Sequence, residues 1–161
     1  MFLCNNIDDI SFNNIFCYDK MKNNIMENSF FYKLVYSDSE SCFNGIFFMI
    51  NLKNCFVEKY FDKLKITLSE CKENRDIGFK VQNFEENIFK KFKTKFTNYN
   101  LEKRLSQQLN QMILKIQNNN FKNCNTYQDV KVIIKISGMW ENSKTKQIGL
   151  TFKYFLANRT I

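Results

Sequence analysis

Few residues in this chain could carry out catalysis. The sequence contains no histidine, which excludes a Ser-His-Asp triad, a Cys-His dyad and a mixed Cys/His zinc site. Adjacent acids occur at Asp8-Asp9 and Glu85-Glu86, but neighbouring residues on a helix point about 100° apart, so Glu85 and Glu86 cannot act together on one substrate. No GxxxxGKS, GxxxxGKT or GxGxxG loop is present to hold phosphates. We therefore expect a protein that is not an enzyme and needs no cofactor.

The cysteines argue against a metal centre. They are Cys4, Cys17, Cys42, Cys55, Cys71 and Cys124. None belongs to a CxxC pair, the spacing found in zinc ribbons and thioredoxin-like sites.

The sequence shows no secretory signal or membrane span. The first residues lack the basic and apolar segments of a secretory signal, and no apolar run approaches the roughly 20 residues of a membrane span. The sequence thus predicts an intracellular protein that is not secreted, with reduced thiols, no metal and no membrane contact.

Binding of a polyanion is better supported than catalysis. The formal net charge is +8 and the pI is near 9.2. The excess is confined to the second half, because residues 87–161 carry 14 basic and 3 acidic side chains, whereas residues 1–86 are slightly acidic. Such an uneven basic distribution is typical of proteins that bind nucleic acid.

A C-terminal hairpin offers the residue types that single-stranded nucleic acid requires, which are cations for phosphates and aromatic faces for bases. In its first strand, apolar residues from Val130 to Ile136 alternate with polar ones, and the second strand runs from Ile148 to Leu156. Trp140 stands at the end of the first strand, close to Gly138. The predicted phosphate contacts are Lys131, Lys135 and Lys153, and the predicted stacking residues are Trp140, Phe152 and Tyr154. Phe152 and Tyr154 share the apolar parity, so at least one of them could belong to the core.

The remaining elements must position this hairpin. Alternation predicts a hairpin over 30–37 and 43–52, then strands around 64–68 and 77–81. Spacing of four residues from Phe84 to Phe96 predicts an amphipathic helix, and the stripe from Leu101 to Ile116 predicts a second one. Strands, then helices, then two strands exclude a repeating parallel strand-helix fold. We expect an α+β protein, a single domain over 1–161. Its predicted architecture is an antiparallel OB-like barrel with a helical insertion, at about 84–117, between strands 3 and 4.

The closing strands also resemble a known family. The segment Ile134-Lys-Ile-Ser-Gly-Met-Trp140, followed by Ile148-Gly-Leu-Thr-Phe-Lys153, is similar to the OB-fold single-stranded-DNA-binding proteins of nucleocytoplasmic large DNA viruses. The matching positions are Gly138, Trp140, Gly149 and Lys153. This resemblance implies that the protein coats single strands during viral DNA replication, recombination or repair, in the host nucleus or in a cytoplasmic viral factory. The chain ends without the acidic tail that recruits replication partners, so the resemblance identifies no such partner.

Two main functions therefore remain open, besides a transcription or replication accessory factor that binds protein through an OB-like barrel. The first is non-enzymatic binding of single-stranded DNA with little sequence preference, with RNA as a further ligand and homo-oligomerisation left open. The alternative is a viral structural or assembly protein, because the strand from Phe43 to Leu52 carries large apolar groups on both sides, which a partner chain could cover.

Overall fold

The computed structural model describes residues 4–117, 121, 122 and 124–157. Over these residues the strands are β1 (Asn5–Asn6), β2 (Ile15–Lys22), β3 (Ser29–Ser37), β4 (Cys42–Phe43), β5 (Ile46–Tyr60), β6 (Lys63–Thr67), β7 (Asn100–Glu102), β8 (Ile113–Gln117), β9 (Thr126–Asn142) and β10 (Gln147–Leu156). The α-helices are α1 (Lys72–Lys91) and α2 (Arg104–Asn110), and short 3-10 turns occupy Ile7–Asp9, Phe12–Asn14 and Lys93–Lys95. The chain is thus an α+β protein dominated by antiparallel strands.

The long strand β9 organises the sheet. Along one edge it pairs first with β5, from Val57↔Thr126 to Ile46↔Ile136, and then with β3, from Lys33↔Gly138 to Ser29↔Asn142. Its other edge pairs with β10. The order β2-β3-β9-β5-β6-β8 results, while β7 adds in parallel to β10 and β1 in parallel to β5.

The hydrophobic core lies on one face of this sheet, under the two helices. Alternate residues of β9 from Val130 to Ile136 are all buried there, as their apolar alternation predicts. Phe48 of β5 meets Phe84 of α1, with ring centroids 4.9 Å apart. Leu105 and Leu109 of α2 complete the layer. Both helices therefore cover the same face.

Among the described residues, no helix is long and apolar enough to cross a membrane.

The helical region differs from the prediction. Residues 77–81 are part of α1 rather than a strand, because Ile77, Val81, Phe84 and Ile88 form one helical stripe while Phe79 is exposed. The predicted second helix over 101–117 is instead β7, the short α2 and β8. Met112, with φ 58°, ends α2, and Leu114 and Ile116 then alternate as a strand that pairs with β6. The helical segment predicted at 84–117 therefore begins earlier, at Lys72, and the region also contains β7 and β8, so the predicted insertion between strands 3 and 4 is not confirmed.

The hairpin predictions had different outcomes. The C-terminal hairpin is confirmed, since β9 and β10 pair in antiparallel register. The predicted N-terminal hairpin is wrong, because β3 turns back only into β4, and β5 pairs with β9 instead. Gly45, with φ 111°, lies where the chain leaves β4 for β5. The described strands form an open sheet, so the predicted OB-like barrel is not confirmed.

Candidate nucleic-acid interface

The sheet face opposite the helices carries rows of cationic and aromatic side chains. Residues that lie directly opposite each other on neighbouring strands point to the same face. The register therefore places Lys153, Lys135 and Phe47 in one row, Phe155, Ile133 and Met49 in the next, and Lys131 with Asn51 beyond them. Toward the other end of β9 the rows are Thr151, Gly138 and Lys33, then Gly149, Trp140 and Phe31. We call this surface the lysine face.

A bulge keeps Trp140 on the lysine face. Strict alternation from Ile136 would direct Trp140 toward the core, because both numbers are even. The pairing shifts, however, since Phe152 lies opposite Ile136 and Thr151 lies opposite Gly138, which leaves Ser137 as an extra residue in β9. After the bulge Met139 enters the core instead, and it is only 1% exposed.

Cations on the lysine face lie over aromatic rings. The ammonium group of Lys135 is 5.3 Å from the ring centroid of Phe47, and that of Lys153 is 5.3 Å from the centroid of Phe155. Lys33 lies over Tyr18 of β2 at 5.8 Å. Contacts of this kind at exposed sites contribute about 0.5–1 kcal/mol, so the ammonium groups can turn toward phosphates at small cost.

The charge of the lysine face is strongly positive. The lysine-face rows formed by β3, β5, β9 and β10 contain no acidic residue, because Glu141 of β9 is buried and belongs to a row of the opposite face. Asp129 and Glu102 lie at the two ends of these rows, and each is paired with a cation. Asp129 accepts from Lys53 at 2.8 Å at one end, and Glu102 accepts from Arg104 at 2.7 Å at the other. Lys33, Lys131, Lys135 and Lys153 make no ion pair with a described carboxylate.

The indole of Trp140 is less exposed to solvent than its predicted stacking role requires. A Cβ atom on Gly149 would come within 2.8 Å of three indole atoms, so the indole lies against the Gly149 backbone. The guanidinium carbon of Arg104 is 4.9 Å from the ring centroid. Because of these two contacts the residue is only 9% exposed. Trp140 is therefore on the predicted face, but its indole is largely covered by Arg104 and the sheet.

An open depression of about 630 Å³ lies beside the indole. The end of β2 and the β2–β3 connection form one wall with residues 21–26. Phe31, Arg104, Trp140 and Thr151 form the rest of the lining. The depression is continuous with the lysine face, because Phe31, Trp140 and Thr151 belong to its end rows.

The other two predicted stacking residues lie on the opposite face. Tyr154 is buried, and its hydroxyl group donates to Gln108 Oε1 at 3.0 Å. Burial, with the nearby Glu85 charge, raises the pKa of Tyr154. The Phe152 ring is 5.4 Å from the Tyr154 ring and packs on the core. Both rings lie on the face of the sheet that packs under the helices. Their positions therefore do not fit a stacking role on the lysine face.

Sequence reasoning missed Arg104, Lys33, Phe31 and Phe47 as candidate site residues. Arg104 reaches Trp140 because β7 pairs with β10, which places Glu102 beside Gly149. Lys33, Phe31 and Phe47 join the site through the pairing of β3 and β5 with β9. These contacts join residues far apart in sequence, so no local pattern could have identified them.

Neither a metal site nor a known relative adds to this interface. Within residues 4–117, 121, 122 and 124–157, no group of three or more Cys, Asp or Glu residues could hold a metal ion. No family model, curated protein or solved structure matches this chain.

Proposed function

We propose that this protein binds single-stranded DNA, with little sequence preference and without catalysis, on the lysine face of its sheet. The observation that carries the proposal is the register, which aligns unpaired lysines with aromatic rings across neighbouring strands. Single-strand binding needs this combination, because phosphates are held electrostatically and every base has a stackable face.

Each part of the lysine face has a role in this proposal. Lys131, Lys135 and Lys153, with Lys33, contact phosphates. The half-exposed rings of Phe47 and Phe155 stack with bases once their lysines turn to the backbone. Base-aromatic stacking is worth about 1–3 kcal/mol per base and tolerates any sequence. The side chains of these rows are suited to phosphates and to the faces of bases, and not to hydrogen bonds with base edges. This favours binding with low sequence preference.

The resemblance of the closing hairpin extends the proposal to a biological role. In the viral OB-fold family, the single strand lies in the groove of a barrel. We infer that the open face of β5, β9 and β10 binds the single strand here. The role that follows is protection of single strands during viral DNA replication, recombination or repair. RNA remains a further ligand, since stacking and phosphate contacts are common to both polymers.

The test compares two double substitutions that change the net charge equally. Lys135→Glu with Lys153→Glu reverses charge on the lysine face, whereas Lys72→Glu with Arg75→Glu reverses it on the first turn of α1, on the other side of the sheet. Acidic residues suit a helix N-terminus, so the control variant keeps its fold. Fluorescence anisotropy with labelled oligo-dT measures affinity, and circular dichroism checks folding.

We expect the lysine-face variant to lose at least about tenfold in affinity, because it loses two phosphate contacts and gains two repulsions. The α1 variant should stay within about threefold of wild type, since long-range charge is screened over roughly 10 Å at 0.1 M salt. Equal losses in the two variants, or no binding by the wild type, would overturn the proposal.

A structural or assembly role is the second candidate. The observation that favours it is the tip of the β5–β6 hairpin, where Phe61 is 90% exposed and packs only edge-on against Tyr60. Tyr60, 42% exposed, adds to the same apolar surface at the hairpin tip, and a partner chain would remove this surface from water. Size-exclusion chromatography with and without oligo-dT separates the two functions. Assembly that persists without the oligonucleotide and is lost in Phe61→Ser would support the structural role.

A further inference from the structure

The depression beside Trp140 has the features of a site for a single planar ring. We propose that it holds one unstacked nucleobase of the bound strand, stacked on the outer face of the Arg104 guanidinium. This inference rests on the proposed function and adds a specific subsite to it. Trp140 then supports the base through Arg104 rather than contacting it directly.

Arg104 is held in place as a stacking platform. Its Nε donates to Glu102 Oε2 at 2.7 Å, and its guanidinium carbon lies 4.9 Å from the centroid of the Trp140 ring. Even so, the Arg104 side chain is 55% exposed. The guanidinium group thus lies over the indole, lines the depression and keeps more than half of its side chain exposed. Guanidinium planes and aromatic rings are the surfaces on which proteins stack unpaired bases.

The facing wall is apolar and open to solvent. It is formed by the end of β2, where Met21 is 51% exposed, and by the β2–β3 connection, where Ile25 is 93% exposed. A base inserted between this wall and Arg104 would remove that apolar surface from water, which is favourable. Asn24 lies in the same wall, and its amide makes no hydrogen bond to the described residues, so it can bond to the edge of a base.

The charge around the depression favours part of a nucleic acid over an apolar peptide side chain. Lys22 and Arg104 line it, and Glu102 neutralises only one of these cations. The depression also opens onto the row of Thr151, Gly138 and Lys33, the end of the lysine face. A strand held on the lysine face can therefore reach the depression with its next base.

The experiment separates stacking from charge. Trp140 is the only tryptophan, so its emission reports directly on the depression. Arg104→Lys keeps the positive charge but removes the planar group. Wild type, Arg104→Lys and the Lys135→Glu/Lys153→Glu variant are titrated with oligo-dT and with an abasic oligonucleotide of the same length. Anisotropy measures binding of the oligonucleotide, and Trp140 emission reports whether a base occupies the depression.

In wild type, saturating oligo-dT should change Trp140 emission, whereas the abasic strand should bind without that change. Arg104→Lys should lower affinity for oligo-dT about tenfold with an unchanged salt slope, and should leave affinity for the abasic strand within about twofold. The Lys135→Glu/Lys153→Glu variant should instead lose affinity for both strands, yet keep the emission change at saturation.

Two results would overturn the subsite and leave the proposed function standing. One is oligo-dT binding by anisotropy without any change in Trp140 emission. The other is an equal effect of Arg104→Lys on oligo-dT and on the abasic strand. If neither strand binds to the wild type, both proposals fail. An emission that depends on protein concentration without DNA would show that a second protein copy fills the depression, which also overturns the subsite.

Discussion

At the scale of single residues, the lysine face depends on close contact between an indole and a glycine. Trp140 can lie flat against β10 only because Gly149 has no side chain, and a Cβ atom there would come within 2.8 Å of the indole. The indole in turn supports Arg104. The small size of Gly149 therefore determines how close the indole, and the Arg104 guanidinium above it, lie to β10.

We predict that Gly149→Ala displaces the indole and lowers the free energy of unfolding by about 1–3 kcal/mol, the usual cost of overpacking. The emission of Trp140 should shift to longer wavelength as the indole moves toward water. Urea unfolding followed by tryptophan fluorescence measures both effects.

Gly78→Ala is the matched control for this prediction. Gly78 lies in α1, where the nearest atom to a new Cβ is Asn110 Oδ1 at 3.1 Å, the end of a flexible side chain. Alanine is favoured over glycine inside a helix by up to about 1 kcal/mol. Unchanged emission and stability in Gly149→Ala would show that the indole does not rest on β10.

At the scale of elements, α2 is attached to α1 by a buried carboxylate. Glu85 is fully buried and accepts from the backbone N–H groups of Leu105 and Ser106 at 3.2 and 3.1 Å, and from the Ser106 hydroxyl group at 2.8 Å. Glu85 thereby satisfies N–H groups in the first turn of α2, which would otherwise lack partners. Because Arg104 begins α2, this carboxylate helps to position the residue that covers Trp140.

Burial raises the pKa of Glu85 above its ordinary value of 4.5, although its hydrogen bonds and the charge of Lys103 oppose the shift. A raised pKa in the folded state means that the folded protein holds a proton that the unfolded chain has released. The contribution of Glu85 to stability is thus complete below about pH 4.5 and is lost as pH rises through the raised pKa.

We predict that Glu85→Gln removes this pH dependence. The variant should also be less stable at every pH, by about 1–3 kcal/mol, because an amide N–H₂ group cannot accept from the α2 backbone. Urea unfolding of wild type and variant between pH 4 and 7 makes the comparison. The gap between their unfolding free energies should narrow as pH rises, and a constant gap would contradict the assignment.

At the scale of the whole molecule, charge and topology act together. The helices cover one face of the sheet, and β9 and β10 place three basic residues of the second half of the chain, Lys131, Lys135 and Lys153, on the other face. Both faces of β9 therefore have a function, one in the core and one in the proposed binding surface.

We predict that binding of oligo-dT weakens with salt along a log-log slope of about −3. The four unpaired lysines of the lysine face would each neutralise one phosphate, and each contact contributes about −0.7 for a single strand. Anisotropy titrations at several NaCl concentrations measure the slope. A flat response would mean that the lysine face does not contact the phosphate backbone.

Much of the chemistry was predictable from the residues themselves. The absence of histidine excludes histidine-dependent catalysis whatever the fold. The alternation from Val130 to Ile136 predicts a half-buried strand, because a period of two residues can be recognised within one segment. The lysines at 131, 135 and 153 were therefore assigned correctly to one face. The strand prediction over 77–81 was wrong because Ile77 and Val81, four residues apart, satisfy both periods. In the structure they continue the helical stripe of Phe84, which packs against Phe48 of β5.

The amino-acid sequence by itself determined the closing hairpin, the uneven charge and the residue types available for binding, because these depend on composition and short-range periodicity. Only the tertiary structure decided which face Trp140 occupies, since that depends on a bulge at Ser137 where β9 passes from β5 to β3. It also decided that Arg104 covers the indole and that Phe47 lies beside Lys135. Those contacts arise from pairing between distant strands, and strand register is a property of the assembled sheet rather than of any one segment.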